Sequence, residues 1–170
     1  MNKFKVATLS DLDSVVSIID SAISSLKEDK STQWQSGIPN RDTLRKDILN
    51  KTCYVLFKDG LICATVNLTT EKDPNYEKID GKWLNEDEVY MTIHRFAVLK
   101  ENTKAGLGRQ LFTHSIEEAK KQGVHQLRID THKENKKMIG LITSFDFIYR
   151  GIVKVKDPKD PYRNAYQKFI

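Results

Sequence analysis

The sequence carries the stretch TIHRFAV at residues 92–98 and the stretch TKAGLGR at residues 103–109. The first is rich in apolar and β-branched residues, which predicts a strand, and the second opens a helical pattern over residues 109–122. Two glycines let backbone N–H groups converge without obstruction by Cβ atoms. The helix adds unpaired N–H groups and the positive end of its dipole, and Lys104 and Arg109 add charge. This strand–turn–helix unit predicts a site for a phosphate or pyrophosphate group.

Two well-known phosphate-binding motifs do not fit this turn. A P-loop requires Gly-Lys-Ser or Gly-Lys-Thr after its spacer, and the chain has neither at this point. A dinucleotide fingerprint requires a third glycine where this chain has Leu111. The fingerprint also opens a βαβ unit, whereas this turn lies mid-chain after strands predicted to be antiparallel.

Composition favours one ordinary globular domain over residues 1–170, with 39% hydrophobic and 30% charged residues. No apolar run approaches the roughly 20 residues that a membrane span needs, and no signal-peptide core follows the first lysines, so we expect a cytoplasmic protein without membrane association. The net charge of +5 comes from scattered lysines. Without an arginine-rich run or zinc-finger spacing, we expect no nucleic-acid partner.

The two cysteines, Cys53 and Cys63, flank a hairpin turn predicted at Asp59-Gly60. Pairing of Leu56 with Cys63 would place Cys53 opposite Val66, so the two thiols fall on opposite faces of the strands. We therefore expect two buried free cysteines. No metal site is predicted, because His125 and His132 lack ligand partners at useful spacing and are expected at the surface.

The remaining pattern predicts alternating strands and helices. Ser10 is expected to cap the first helix, and the charged residues 71–87 are expected to form a loop anchored by Trp83 and Leu84. Strands are predicted at residues 3–8, 53–57, 61–69, 89–99, 124–131, 147–155 and 165–170, and helices at residues 11–26, 41–49, 109–122 and 135–145. This order predicts an α/β or α+β domain with a mixed sheet.

Several motifs resemble those of the GNAT superfamily of N-acetyltransferases. HRFAV at residues 94–98 resembles its central strand, and KAGLGR at residues 104–109 resembles its pyrophosphate loop. Asn135 is similar to an asparagine that lies near the pantetheine arm of the cofactor in this family. FDF at residues 145–147 stands where the family has Leu-Gly-Phe, and WQSGIP at residues 34–39 resembles an acceptor-side tract of one bacterial branch. The element order resembles the family's along essentially the whole chain.

The resemblance implies a GNAT-like fold, with a mixed, mostly antiparallel central sheet flanked by helices and splayed at a bulged central strand. It implies acetyl-CoA as co-substrate and direct transfer of the acetyl group to a primary amine of a small molecule or peptide. A backbone N–H near Phe96 would stabilise the oxyanion. The implied cofactor-binding residues are Phe96, Ala97, Val98, Thr103, Lys104, Ala105, Gly106, Leu107, Gly108, Arg109 and Asn135. A homodimer through residues 163–170 is also implied.

Three positions depart from the family pattern. Thr103 replaces the usual Gln or Arg at the start of the loop, and Asp146 replaces a glycine. Ile142 stands where many members carry a tyrosine that protonates the leaving thiolate. Tyr149, Tyr166 or water would then supply the proton. Ile142 also motivates a second hypothesis, a non-catalytic acyl-CoA-binding sensor or regulatory protein.

Three residues are candidates for the base that the attacking amine needs at neutral pH. An unperturbed histidine suits this task, which makes His94 a candidate, although a hydrogen-bonded structural histidine fits the same position. Asp130 ends the neighbouring strand and is either an acidic catalytic residue or a turn carboxylate. Glu88 opens the central strand and is a candidate for contact with the acceptor, or a solvated loop charge. Trp34 is a candidate for lining the acceptor pocket, or for packing on the core.

Overall fold

The structure is a computed structural model that describes residues 2–170, with the exception of the Thr103 side chain. Its helices are α1 (Leu12–Glu28), α2 (Arg41–Leu49), α3 (Leu107–Lys121) and α4 (Lys136–Ser144). Its strands are β1 (Lys3–Val6), β2 (Cys53–Lys58), β3 (Leu61–Thr69), β4 (Ile79–Gly81), β5 (Met91–Val98), β6 (Gln126–Thr131), β7 (Ile148–Lys154) and β8 (Tyr162–Phe169). Short 3-10 turns cover Leu9–Asp11, Pro74–Tyr76 and Lys100–Ala105.

The strands form one eight-stranded sheet in the order β1-β2-β3-β5-β6-β8-β7-β4. Among the strand pairs of residues 2–170, only β5 and β6 are parallel, because α3 crosses between them, and the other pairs are antiparallel. The predicted mixed, mostly antiparallel sheet is therefore confirmed. None of the helices in this part of the chain combines the length and apolarity of a membrane span.

Two apolar cores lie on opposite faces of the sheet. On one face, α3 and α4 contribute Leu107, Leu111, Phe112 and Ile142, which pack against residues such as Ile93 and Ile129. On the other face, α1 and α2 contribute Val15, Ile18, Ile19, Leu44 and Ile48, which pack against Val55 and Ala97. The strand period of two explains this division, since alternate residues face opposite sides. The helices therefore cover both faces around the central strand β5.

The segment between β3 and β5 differs from the predicted loop. It contains a 3-10 turn and β4, which pairs with β7. A third core cluster forms beneath it, in which Trp83 is buried and packs with Tyr76 and Tyr90. Trp83 anchors this segment as expected, whereas the Leu84 side chain is 40% exposed. The segment is held by pairing with β7, a strand far away in the sequence, and a local pattern does not encode that contact.

Two local predictions are wrong in detail. Ser10 does not cap the first helical segment, whose N-cap is Thr8, and the Asp11 carboxylate completes a capping box by accepting the Thr8 backbone N–H at 2.8 Å. In the hairpin, a bulge at Leu56/Phe57 shifts the register by one residue, so that Cys53 lies opposite Asn67. The two thiols nevertheless lie in different cores on opposite faces, and both are buried and free. Burial is the main reason that the pKa of Cys53 is raised to about 11.

Candidate active site at the splay of the central strands

The parallel ladder between β5 and β6 is short. Within the described residues it contains three rungs and ends where Ile93 faces Ile129. Beyond this point β5 continues to Val98 while it stays paired with β3. A gap therefore opens between residues 94–98 of β5 and the carboxyl end of β6, and the expected splay at the central strand is confirmed.

A β-bulge lies at the start of this gap. His94 faces Asn67 and Ala97 faces Thr65, so β5 has one more residue than β3 over the same interval. Arg95 adopts a φ of +48°, in the left-handed region. A bulge with one residue near a helical conformation bends its strand and redirects the following backbone groups.

The backbone direction of β5 after the bulge follows from one hydrogen bond. The Leu99 N–H donates to the Cys63 carbonyl on β3 at 2.8 Å. Backbone groups alternate between the two edges of a strand. The N–H and C=O groups of Val98 and Phe96 therefore point to the other edge, toward the gap. Polar backbone groups at such an edge need partners, and an extended ligand in the gap can supply them.

The turn before α3 has the geometry of an anion cradle. Gly106 adopts a φ of +72° between the 3-10 turn and the helix, and Leu107 is fully buried and anchors the first turn. A Cβ at Gly108 would lie 3.5 Å from the Leu141 side chain and 3.9 Å from that of Val98. These are ordinary van der Waals distances, so the start of α3 lies close to the end of β5 and a side chain much larger than alanine would meet Leu141 and Val98. The first N–H groups of a helix have no intrahelical acceptor and favour an anion.

The charged residues predicted around this turn have different environments. Lys104 is exposed beside the cradle. Arg109 donates to the Ser144 hydroxyl at 2.9 Å and its guanidinium lies 4.7 Å from the centre of the Phe145 ring. Arg109 therefore ties α3 to the end of α4 at the margin of the cradle. Ala105 is exposed, and the side chain of Thr103 lies outside the described residues.

Asn135 caps α4 at the far side of the gap. Its Oδ1 atom accepts the Met138 backbone N–H at 3.3 Å, and its Nδ2 atom donates to Gln33 at 3.3 Å. The same Gln33 oxygen accepts the His132 backbone N–H at 3.1 Å and the Thr131 hydroxyl at 3.3 Å. Gln33, which the sequence did not single out, thus joins the loop after α1 to the carboxyl end of β6.

A cluster of polar side chains lies on the α1–α2 face of the gap. The His94 Nε2 atom lies 3.1 Å from the Asp73 carboxylate, and the Tyr76 hydroxyl donates to Asp130 at 2.6 Å. The rings of His94 and Tyr76 are 6.3 Å apart. The structure therefore brings together His94 and Asp130, both predicted from the sequence, and joins them through two residues that were not.

The pKa values of the two carboxylates in this cluster are shifted in opposite directions. Burial is the largest influence on Asp73 and raises its pKa, but the hydrogen bond and charge of His94 and a bond from Asn75 outweigh it, so the pKa is lowered. Burial also dominates at Asp130, and there the pKa is raised despite the charge of His94 and the bond from Tyr76. Burial and then the Asp130 charge raise the pKa of Tyr76 well above its usual value.

The sequence does not predict a role for Asp73 and Tyr76, because both lie in the segment whose pattern indicates a loop. A local signal for Asp73 was present in Asp73-Pro74-Asn75, where the aspartate caps a short turn by accepting the Asn75 N–H at 2.8 Å. Its proximity to His94 depends on the folding of the whole segment across β5. That proximity could not be predicted from the local sequence.

Comparison with known proteins decides the family. A family-wide sequence profile described as Acetyltransferase (GNAT) family matches residues 19–147, well over half of the chain. The chain belongs to the GNAT acetyltransferase family. No protein with a curated description matches it at a significant level.

Solved structures agree with this assignment. A GNAT family acetyltransferase from Streptococcus agalactiae is 28% identical, with a TM-score of 0.89 over 99% of this chain and 95% of that one. A GNAT family acetyltransferase from Listeria monocytogenes is 16% identical, with a TM-score of 0.76 over 99% and 95% of the two chains. The ribosomal-protein-S18-alanine N-acetyltransferase from Escherichia coli is 18% identical, with a TM-score of 0.71 over 100% and 94%. The last two similarities support the fold alone.

Two residues that differ from the GNAT pattern, Asp146 and Ile142, are compatible with their surroundings in the structure. Asp146, at the usual glycine, adopts a φ of +62°, a conformation that aspartate tolerates better than most residues. Ile142, at the usual tyrosine, is fully buried in the core beneath α3 and α4. It therefore contributes to core packing, and its aliphatic side chain has no proton to donate.

Tyr166 lies in the same core as Ile142, on the α3–α4 face of the sheet. It is 5% exposed and faces Ile129, the last residue of the β5–β6 ladder. Burial raises the pKa of Tyr166, and the nearby Tyr149 adds to this. Tyr149 itself is 52% exposed. Because neighbouring rungs face opposite sides, Tyr166 and Asp130 lie on different faces of the sheet.

The two predicted acceptor-side residues lie in different places. Trp34 is half-buried against the α1–α2 core and lines an open cleft of about 390 Å³ with Ile23 and Pro39. It follows Gln33 directly and so lies at the splayed end of the sheet. Glu88 is exposed near the opposite, amino-terminal end of β5, where it accepts a bond from Asn85 at 3.3 Å. The structure does not bring Glu88 to the gap, because β5 runs away from it toward the splay.

The prediction that His125 and His132 both lie at the surface is wrong for His132. His125 is exposed as expected, but His132 is buried with 3% exposure. Its Nδ1 atom accepts the Glu134 backbone N–H at 3.2 Å, and its Nε2 atom lies 2.7 Å from Asp160. The ring thereby links the loop after β6 to the loop before β8.

Proposed function

We propose that this GNAT protein is an acetyl-CoA-dependent N-acetyltransferase that acts on a primary amine of a small molecule or peptide by direct attack. The observation that carries the proposal is the gap after Ile93 and Ile129, with the His94–Asp73 pair on one side and the start of α3 at its end. The membership of the family supports acetyl transfer in general, and the side chains around the gap support an amine acceptor.

The donor fits the backbone that lines the gap. The N–H groups at the start of α3, around Gly106 and Gly108, would hold the pyrophosphate, with Lys104 adding charge. The edge of β5 at Phe96 and Val98 would pair with the amide groups of the pantetheine arm as a neighbouring strand does. Acetyl-CoA supplies the acetyl group as a thioester.

The bulge residues contribute electrostatic stabilisation. The Phe96 N–H points into the gap and would donate to the carbonyl oxygen as negative charge develops on it. A donor fixed in advance by a bulge needs no reorganisation during the reaction. The amine nitrogen forms a bond to the carbonyl carbon, and the carbon–sulfur bond then breaks.

His94 is the proposed base. The attacking amine must lose a proton, and a side chain within reach accelerates this step. With Nε2–H donated to the Asp73 carboxylate, the Nδ1 lone pair of His94 remains to accept the proton, directly or through a water. Asp130, held by Tyr76, adds a second acidic group beside the imidazole, and this setting favours a cationic amine over an acidic acceptor.

Tyr166 is the proposed proton donor to the leaving thiolate. It lies in the α3–α4 core, which also contains Ile142, and α3 is the helix whose first turn would hold the donor. The ordinary pKa of tyrosine, about 10, already keeps the phenol protonated at neutral pH, and burial raises the pKa of Tyr166 further. Base and acid would then act from opposite faces of the sheet.

Ile142 supports a second candidate function. A fully buried aliphatic residue at the usual acid position is also what an acyl-CoA-binding sensor without turnover would carry. Such a protein would retain the cradle and the gap but would not release CoA when amines are present.

The first experiment tests donor binding. The thermal stability of the wild type should rise with saturating acetyl-CoA, whereas Gly108→Trp should not respond, because the indole would occupy the space beside Val98 and Leu141. Gly140→Trp, at an open position on α4, is the matched control and should respond like the wild type. An unchanged wild type at saturating acetyl-CoA would contradict donor binding.

The second experiment separates enzyme from sensor. Release of the free thiol is followed with acetyl-CoA and a panel of amines, amino acids, polyamines and peptides. Sustained release that depends on one class of amine supports the N-acetyltransferase. Binding in the first experiment without release across the panel supports the sensor.

A further inference from the structure

Arg95 occupies a backbone conformation that its side chain does not favour. Its φ of +48° lies in the left-handed region, where the Cβ atom crowds the backbone and where glycine or asparagine is usual. The residue lies in the bulge between His94 and Phe96. A conformation of this kind persists only where surrounding contacts hold it.

Asp47 on α2 supplies such a contact. Its two carboxylate oxygens accept hydrogen bonds from the Arg95 Nε at 2.6 Å and Nη2 at 2.8 Å. The Asp47 and Arg95 side chains are only 11% and 24% exposed. A two-point, charge-assisted contact between a planar guanidinium and a carboxylate fixes direction as well as distance.

Asp47 is also linked to the strand on the other side of the bulge. Its backbone carbonyl accepts the Thr52 N–H at 3.0 Å and the Thr52 hydroxyl at 3.2 Å. The Thr52 hydroxyl in turn accepts a bond from the Asn67 side chain at 2.7 Å. Asn67 is the cross-strand partner of His94. One turn of α2 therefore contacts the bulge at Arg95 and supports its partner strand beside His94.

We propose that Asp47 is a positioning residue of the active site. It holds Arg95 in the left-handed conformation and so aims the Phe96 N–H and the His94 ring at the reacting groups. The proposal rests on the proposed function, because the oxyanion contact of Phe96 and the base role of His94 belong to it. Asp47 itself acts through Arg95 and does not touch the substrate.

The test uses the difference between alanine and glycine at position 95. Asp47→Ala and Arg95→Ala should each lower kcat about tenfold or more, since small displacements of a reacting group are costly, with the KM for acetyl-CoA changed less than about threefold. Arg95→Gly should recover part of this loss, because glycine adopts a positive φ without support. Asp47→Ala should have little further effect in the Arg95→Gly background. Asp42→Asn, an exposed carboxylate on the same helix, is the control.

A readout independent of turnover accompanies the kinetics. In nitrogen-labelled protein, the Phe96 amide resonance should move in Asp47→Ala and stay in place in Asp42→Asn. Asp47→Asn, which keeps one acceptor, replaces Asp47→Ala if the latter does not fold. An unmoved Phe96 amide, an unchanged kcat in Asp47→Ala, or an Arg95→Gly variant as slow as Arg95→Ala would overturn the proposal. A wild type without turnover would contradict the proposed function instead, and the amide shift would still decide the role of Asp47.

Discussion

The Nε2 atom of His94 lies 3.1 Å from the carboxylate of Asp73. The histidine stands on the central strand at the start of the splay, and the aspartate caps a short turn in the segment between β3 and β5. The carboxylate fixes the ring and selects the tautomer that leaves Nδ1 available. This pair connects the sheet to the segment that crosses its face.

His94 and Asp73 should act as a unit in catalysis. We expect His94→Gln to lower kcat by about a hundredfold and Asp73→Asn by about tenfold. The double variant should be no slower than His94→Gln, because Asp73 contributes through the histidine. Steady-state kinetics with saturating acetyl-CoA measures the three variants. Losses that multiply in the double variant would show that the two residues act independently.

Asp130 should reduce stability as the pH rises. Its folded pKa is raised above the ordinary value of 3.8, so above about pH 4 the unfolded state loses the proton first and unfolding is favoured. Asp130→Asn keeps an acceptor for Tyr76 and removes this penalty. We expect its melting temperature to exceed that of the wild type by about 3 °C at pH 7, with the difference vanishing near pH 3. A constant difference across this range would contradict the prediction.

Asp73 should show the opposite dependence. Its folded pKa is lowered below 3.8, so its contribution to stability is present above the unfolded pKa and is lost as the pH falls through the folded pKa. Asp73→Asn should therefore be less stable than the wild type at pH 7 and approach it in strong acid. Melting curves of both aspartate variants in the same buffers provide the comparison.

The glycine pair between β4 and β7 should be intolerant of side chains. A Cβ at Gly151 would collide with the Asp80 carbonyl, and Gly151 adopts a φ of +147°. We expect Gly151→Ala to cost about 2 kcal/mol or more of unfolding free energy and to lower kcat, since β4 helps to hold Asp73. Gly140→Ala, at an open position on α4, should be neutral or slightly stabilising. Denaturant unfolding measures both, and equal stabilities of the two variants would refute the expectation.

Tyr166 should contribute to kcat through its hydroxyl. Tyr166→Phe keeps the packing of the buried ring and is expected to lower kcat about tenfold or more with little change in the KM for acetyl-CoA. Tyr162→Phe, a 53% exposed tyrosine on the same strand, is the control. A Tyr166→Phe variant as fast as the control would leave water as the proton source.

The elements proposed to bind the donor could be predicted from the sequence because they are continuous along the chain. Strand β5, the Gly106 turn and α3 follow one another, and each has a local signal in β-branched residues, glycine or helical period. Helix α2 has the predicted bounds, since Asn40 caps it by accepting the Thr43 N–H at 3.1 Å. Where local propensity and global fold agree, a single sequence carries the information.

The side chains around His94, proposed to face the acceptor, could not be predicted in the same way. Asp73 and Tyr76 lie in the segment that β4 attaches to the sheet. The three residues of β4 include a glycine and carry no strand signal. The hairpin register depends on a bulge at Leu56/Phe57 that no turn residue marks. His132 is buried because Asp160, far along the chain, satisfies it at 2.7 Å. In each case a contact between distant segments overrides the local pattern.

The segment between β3 and β5 is attached to the sheet through contacts with β7 and β8. Its strand β4 pairs with β7, Trp83 is buried beneath it, and Gln167 on β8 donates to the Leu84 carbonyl at 2.7 Å. The predicted donor-binding groups lie on β5, α3 and α4, outside this segment. A graft of residues 70–90 between relatives would therefore exchange the partner of His94 while the donor-binding backbone stays intact. Such an exchange would vary the side chains beside His94 while the sheet and helices that frame the gap keep their own contacts.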